Sequence, residues 1–221
     1  IPDFEFKSDA DVAIFTRLAA DAVSATKMDR PEWGGINPRN GEFYMTLTNN
    51  SNRTVDGDAG LDAANPRYYS DMKGSKESKG NVHGHIIRVA QANPADTSFK
   101  WDIYVFGAES DADKSRINLS NLTDANDLSS PDGLVFSEAT GLCWIQTDDG
   151  AYTDKSNCMM LAAIPGQVGD GGKKTLAYKR TDGSEKRVDT FVGKAPTEDT
   201  LKRFLVGPKD CEITGLCETP D

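Results

Sequence analysis

The sequence has no apolar run near the roughly 18 residues that a membrane-crossing helix needs, so none is expected. No secretory leader is visible either. The chain opens on Ile1, Pro2, Asp3 and Phe4, a polar start that implies something preceded it. An excess of positive charge is missing. The 35 acidic residues outnumber the 25 basic ones, leaving a net charge of −10. Such a surface repels nucleic acid and anionic lipid, so neither is expected as a partner. The acidity has two readings: solubility, or carboxylates gathered to hold hard cations.

Specific motifs are lacking as well. None of Cys143, Cys158, Cys211 and Cys217 sits in a Cys-x-x-Cys pair, which argues against a zinc ribbon or a dithiol redox motif. Disulfides, buried thiols and partners elsewhere all stay open. There is no Gly-x-Ser-x-Gly elbow and no Gly-Lys-Ser/Thr phosphate loop. Asp56-Gly57-Asp58 is too short for an EF-hand and lacks its terminal Glu.

What is present is turn material and short strands. The 221 residues suffice for one domain with a core, and 20 Gly and 10 Pro supply turns without the bias of a disordered chain. Val12, Phe15, Leu18, Ala19 and Ala22 recur at helical spacing, predicting a short helix over Asp9–Val23, capped by Asp9 or Asp11. From Trp33 onward short strands alternate with turns. Strands are predicted at 42–48, 84–89, 100–106, 131–136, 142–147, 159–164, 174–179, 187–191 and 202–206, with tight turns at Asn37–Gly41 and Ser137–Gly141. Gly57–Asn81 and Ala108–Ser130 read as long polar loops.

One template recurs. Pro131–Phe136 and Glu212–Cys217 each read as a polar turn, a Gly and a short apolar strand, and Glu32–Leu47 is a looser copy. Repeated short-strand units are how propeller blades read, and about two to three blades are present where a ring needs four or more. The expectation is a mainly β chain: a single partial β-propeller domain over residues 1–221 with a short N-terminal helix, truncated at both ends.

Arg30-Pro31-Glu32-Trp33 is the richest candidate site. A guanidinium offers a planar fork of donors to phosphate oxygens. Alternation along an extended segment puts Glu32 on the same side. The bland alternative is a surface Arg–Glu pair beside a buried Trp. Asp132, before Gly133, reads as a turn residue at a blade mouth or as a ligand. Glu212 precedes an apolar strand start and reads as facing the propeller's central end, or as a charged loop residue. His83 and His85 alternate onto one face, a metal pair or structural histidines, with no third ligand nearby in sequence. Asn49-Asn50-Ser51 offers amide oxygens to a hard cation, or a turn.

Several runs together carry a resemblance. They are Arg17-Leu18-Ala19-Ala20-Asp21-Ala22-Val23, Ala25-Thr26, Met28-Asp29-Arg30-Pro31-Glu32-Trp33, Leu47–Ser51, Asn65-Pro66-Arg67, Gly84–Arg88, Trp101–Ile103, Ser130–Leu134, Leu142–Asp148 and Arg203–Gly215. In this order the chain, from about residue 11 to its end, resembles the PhoX-type alkaline phosphatases. The resemblance implies a β-propeller exported to the periplasm or beyond, hydrolysing phosphomonoesters with calcium and ferric iron. It implies that Arg30 contacts phosphate as a catalytic and substrate-binding group, and that Glu32 is a metal ligand. Asp132 and Glu212 are implied as further metal positions. The family draws other ligands, a cysteine and glutamates among them, from an N-terminal half. This chain therefore reads as a C-terminal-half piece whose partner is the rest of its own propeller, inactive alone. The rivals are a lactonase-like calcium hydrolase and a non-catalytic calcium-binding propeller module. The Arg30–Glu32 pair favours phosphate over lactone.

Overall fold

A computed structural model describes residues 4–73, 75–148 and 155–219. The chain start at Ile1–Asp3 and the end at Pro220–Asp221 lie outside them. The expected single helix is two, α1 (Asp9–Ile14) and α2 (Thr16–Ala22), parted at Phe15. Thr16 Oγ1 donates to the Ala13 carbonyl at 2.6 Å, a side-chain bond that competes with the helical ladder at the break. The cap is Ser8, whose Oγ accepts from Asp11 N, rather than Asp9 or Asp11. Neither helix buries a residue, and the expected apolar stripe has Val12 and Phe15 exposed.

The remainder is β-rich. β1 (Pro31–Ile36) and β2 (Phe43–Leu47) form a hairpin. Its turn ends on Gly41, whose φ of +72° suits a residue without a side chain. β3 (Tyr69–Lys73) and β4 (Lys76–Gly80) form a second hairpin inside the stretch that reads as a polar loop in sequence. Its strands are charged and show no apolar alternation, so sequence pattern passes over them. β5 (His85–Ala90) and β6 (Lys100–Phe106) pair antiparallel and complete the meander β1-β2-β5-β6. β7 (Pro131–Phe136), β8 (Cys143–Thr147) and β9 (Met159–Ala163) begin a second meander. β10 (Gly172–Lys179) and β11 (Glu185–Val192) form a hairpin whose end joins β6 in parallel. β12 (Leu201–Val206) then pairs with β9, giving the order β7-β8-β9-β12.

Two consecutive four-stranded antiparallel meanders are the blades of a β-propeller. Val188, Thr190 and Val192 on β11 are buried while Arg187, Asp189 and Phe191 are exposed, the period-two pattern of a half-buried strand. Between the blades lies the main core. Tyr44, Ile86 and Tyr104 of the first meet Leu134, Phe136, Ile145, Met159 and Leu161 of the second. Leu122 and Leu128, from the stretch read as a polar loop over Ala108–Ser130, join this core. Asn118 braces that stretch, its side chain bonding both N and O of Leu122. The Glu212–Cys217 copy of the template has no strand among the described residues. All four cysteines are free thiols; burial pushes the Cys143 thiol up.

Candidate metal and phosphate site

The strand starts that face one end of the two blades share a peculiar backbone. Arg30 and Ser130, each just before a proline, have φ of +51° and +50°. Asp210, before Cys211, has φ of +64°. Each left-handed residue is followed, one position beyond the next, by a carboxylate: Glu32, Asp132 and Glu212. Behind Arg30 and Ser130 the register with the neighbouring strand shifts, between Pro31 and Gly34 and between Pro131 and Leu134. Such bulges release a side chain from the pleat and re-aim it. The pairing closes identically in both blades, Thr48 N donating to Arg30 O and Asp148 N to Ser130 O.

These devices bring the acidic side chains together. Burial, and then the charges of Glu32 and Asp148, push the Asp132 carboxyl up to about 6, with Arg30 opposing. Asp148 hydrogen-bonds to Asp132 and also to Glu212, and through that bond and its charge raises Glu212. Hydrogen-bonded carboxyl pairs hold a proton where like charges would otherwise repel. Arg30 lies across the cluster, with Nη2 3.4 Å from Glu32 Oε1 and Nη1 donating to Asn49 Oδ1 at 2.8 Å. Its guanidinium is half exposed, open to an incoming anion.

Support comes from buried polar groups behind the cluster. Thr46 Oγ1 donates to the Asp132 carbonyl at 2.7 Å and accepts from Trp33 N at 2.9 Å, tying the two bulges to each other. Asp29, fully buried, accepts from Arg53 Nε, Asn50 Nδ2 and Asn81 Nδ2 at 2.8–3.0 Å, anchoring the residue next to Arg30. Gly133 has no room for a side chain. A Cβ there would collide with the Gln146 side-chain oxygen and stand 2.6 Å from the Thr214 carbonyl, so the third copy of the device packs against the second.

The four residues singled out in the sequence, Arg30, Glu32, Asp132 and Glu212, thus converge. Glu212 is exposed and joins through Asp148, not directly. Asp148 itself is the residue that sequence reasoning missed. Asn49 Oδ1 accepts from Arg30 Nη1 and Asn50 Oδ1 from Asn52 N, so each amide oxygen already has one hydrogen-bond donor. Of the two readings of the histidine pair, His85 takes the structural one. Gly84, with φ of +66°, breaks the strand alternation, because a Cβ there would collide with the Thr48 and Leu47 carbonyls. His85 instead points at Asn81 and the Ala64 carbonyl, and burial lowers it to about 4. His83 faces Asp71 and Ser129.

Two propeller blades that bring an arginine and four carboxylates to one end define the class: a propeller with an acidic end on which an arginine stands exposed. The model of the family described as alkaline phosphatase PhoX matches residues 2–221, and the chain belongs to that family. Among solved structures the chain is similar to Pseudomonas fluorescens PhoX in complex with vanadate, a transition state analogue, with a TM-score of 0.65 and 30% identity. That match covers 96% of this chain, which spans 30% of the other. No curated protein sequence matches the chain.

Proposed function

We propose that this chain supplies one side of the catalytic site of a metal-dependent phosphomonoester hydrolase. The carrying observation is the Asp132 carboxyl, pushed up to about 6 by burial and by its acidic neighbours beside a half-exposed arginine. Carboxylates arranged so that they repel each other are a donor set for hard cations, and calcium and ferric iron fit it by chemistry. Glu32, Asp132, Asp148 and Glu212 would hold the ions. Bound there, such ions would offset charge developing on phosphate and lower the pKa of water. Arg30 forks onto two phosphate oxygens, and Asn49 holds the guanidinium in place by accepting from Nη1. The complex of Pseudomonas fluorescens PhoX with vanadate, a transition state analogue, supports a phosphate-like ligand.

Because the chain spans 30% of that relative, the remaining ligands come, in this reading, from the rest of the propeller, and the chain alone turns over little or no substrate. Export to the periplasm or beyond is part of the same proposal. The test is calorimetric titration of the metal-free chain with Ca²⁺, repeated on Asp132→Asn and Asp148→Asn. Binding that both variants weaken is expected, and wild-type affinity in both variants overturns the site. A chromogenic phosphomonoester assay with Ca²⁺ and ferric iron tests the second claim, and metal-dependent turnover at enzyme-like rates sinks it.

A further inference from the structure

A second group of ligand-type side chains lies apart from the carboxylate cluster. Asp71 comes from β3, His83 from the link between β4 and β5, and Glu109 from the stretch after β6. One ligand atom of each falls within 4.8 Å of the others. His83 is fully buried and Glu109 is 8% exposed, while the Asp71 side chain is 20% exposed at the mouth. A single carboxylate suffices to satisfy a structural histidine. A second, buried one brings negative charge where water cannot screen it. Lys155 Nζ approaches Glu109 Oε2 at 3.7 Å and also bears on Asp71, so the pocket already draws one cation.

The imidazole is oriented as a ligand needs. Nε2 points at Asp71 Oδ2, 2.8 Å away, and Nδ1 lies 2.8 Å from Ser129 Oγ. With Nδ1–H donating to Ser129 Oγ, the Nε2 lone pair faces the two carboxylates, an arrangement that an ion between them satisfies. Tetrahedral ligation at about 2.0–2.2 Å wants donor atoms roughly 3.3–3.6 Å apart, within reach of small side-chain adjustments. We propose that Asp71, His83 and Glu109 form a site for one divalent first-row transition ion of the Zn²⁺ or Mn²⁺ class, tying the β3–β4 hairpin to the first blade. One nitrogen and two carboxylate oxygens select such ions over Ca²⁺, which takes oxygen ligands. The site also touches the phosphate end. Ser129 Oγ lies 3.4 Å from Ser130 Oγ, which accepts from Asn49 Nδ2, and Asn49 holds Arg30.

The chain has two histidines, and both ring nitrogens of His85 are engaged by Asn81 and Ala64. Imidazole coordination therefore reports His83. The experiment titrates the metal-free chain, labelled with ¹⁵N-histidine, with Cu²⁺ for pulsed EPR and Co²⁺ for visible absorption. A D132N/E212Q background weakens the other acidic cluster, which contains no histidine and so gives no imidazole coupling. One ion per chain with a single imidazole coupling is expected. His83→Gln abolishes the coupling, and Asp71→Asn and Glu109→Gln each weaken Co²⁺ binding about tenfold or more. Absence of a nitrogen coupling in the wild-type residues overturns the proposal whether or not a variant folds. So does wild-type affinity in a folded Glu109→Gln chain.

Discussion

Replacing Asp132 by Asn removes one charge from the acidic cluster and keeps its shape. The carboxyl moves from an ordinary 3.8 to about 6 in the fold, through burial first and then Glu32 and Asp148. A folded-state pKa above the unfolded one means that the fold prefers the protonated group. Below about pH 3 both states carry the proton, and the residue costs nothing. The cost grows as pH rises from about 3 through 6 and is complete above about pH 7. A shift of about two units corresponds to roughly 3 kcal/mol at about 1.4 kcal/mol per unit. In chelator at pH 8, Asp132→Asn should therefore be more stable than the parent chain by about 2–3 kcal/mol. With an m-value of about 2–3 kcal/mol/M that is near 1 M in the urea midpoint. At pH 4 the difference should shrink to about 0.5 kcal/mol. Ca²⁺ at 100 times its Kd for the parent should close the gap at pH 8, since it stabilises the parent by about 2.7 kcal/mol and the weaker-binding variant by less. Urea melts followed by circular dichroism at the two pH values, with and without Ca²⁺, carry the measurement. A variant less stable than the parent at pH 8 in chelator, or a difference independent of pH, refutes the reasoning.

Other substitutions separate support from contact. Asp29→Ala leaves Arg53 as an uncompensated charge in a fully buried pair, so a loss of about 3–5 kcal/mol is expected by urea unfolding. Arg30→Lys keeps the charge and loses the fork. Its ion pair is exposed, so stability should change by less than about 0.5 kcal/mol, while Ca²⁺-dependent orthovanadate binding, read by calorimetry, should fall about tenfold or more. Thr46→Val deletes one hydroxyl from a fully buried position and strands Trp33 N. A loss of about 1–3 kcal/mol is expected, with weaker Ca²⁺ binding because the Asp132 backbone loses its tie.

The strands were legible wherever packing writes itself into alternation or a continuous apolar run, as at Lys100–Phe106 and Pro131–Phe136. The β3–β4 hairpin was not, because Ser70, Asp71, Lys76, Glu77, Ser78 and Lys79 carry no apolar period, and its strands hold together by main-chain pairing. The helix break at Phe15 was hidden for another reason: a regular apolar spacing says nothing about a local Thr16 side-chain bond. The structural reading of His85 is the right one, but the alternation of His83 and His85 onto one face fails, because alternation assumes ordinary φ values and Gly84 departs from them. Asp71 and Glu109 reach His83 only through tertiary contacts, which no local spacing encodes.

Asp148 was missed although a signal existed. Residues 30–48 and 130–148 match feature for feature: a left-handed residue, a proline, a carboxylate, a bulge, a turn closed by Gly41 or Gly141, and a returning strand. In that alignment Asp148 is the counterpart of Thr48, and Gln146 the counterpart of Thr46. The first blade spends position 48 on a hydroxyl, and the second spends it on a carboxylate that hydrogen-bonds to Asp132 and Glu212. The same substitution logic explains an orphan. Thr46 Oγ1 satisfies a bulge amide and a neighbouring carbonyl, whereas both polar atoms of the buried Gln146 side chain have no partner among the described residues. A left-handed start and a bulge re-aim a carboxylate regardless of what surrounds it, so repeating the device in successive blades gathers charge at one end of the propeller. That gathering is unfavourable without a counterion. Its retention at Asp132, against a cost of about 2–3 kcal/mol, is intelligible as a site held ready for a cation.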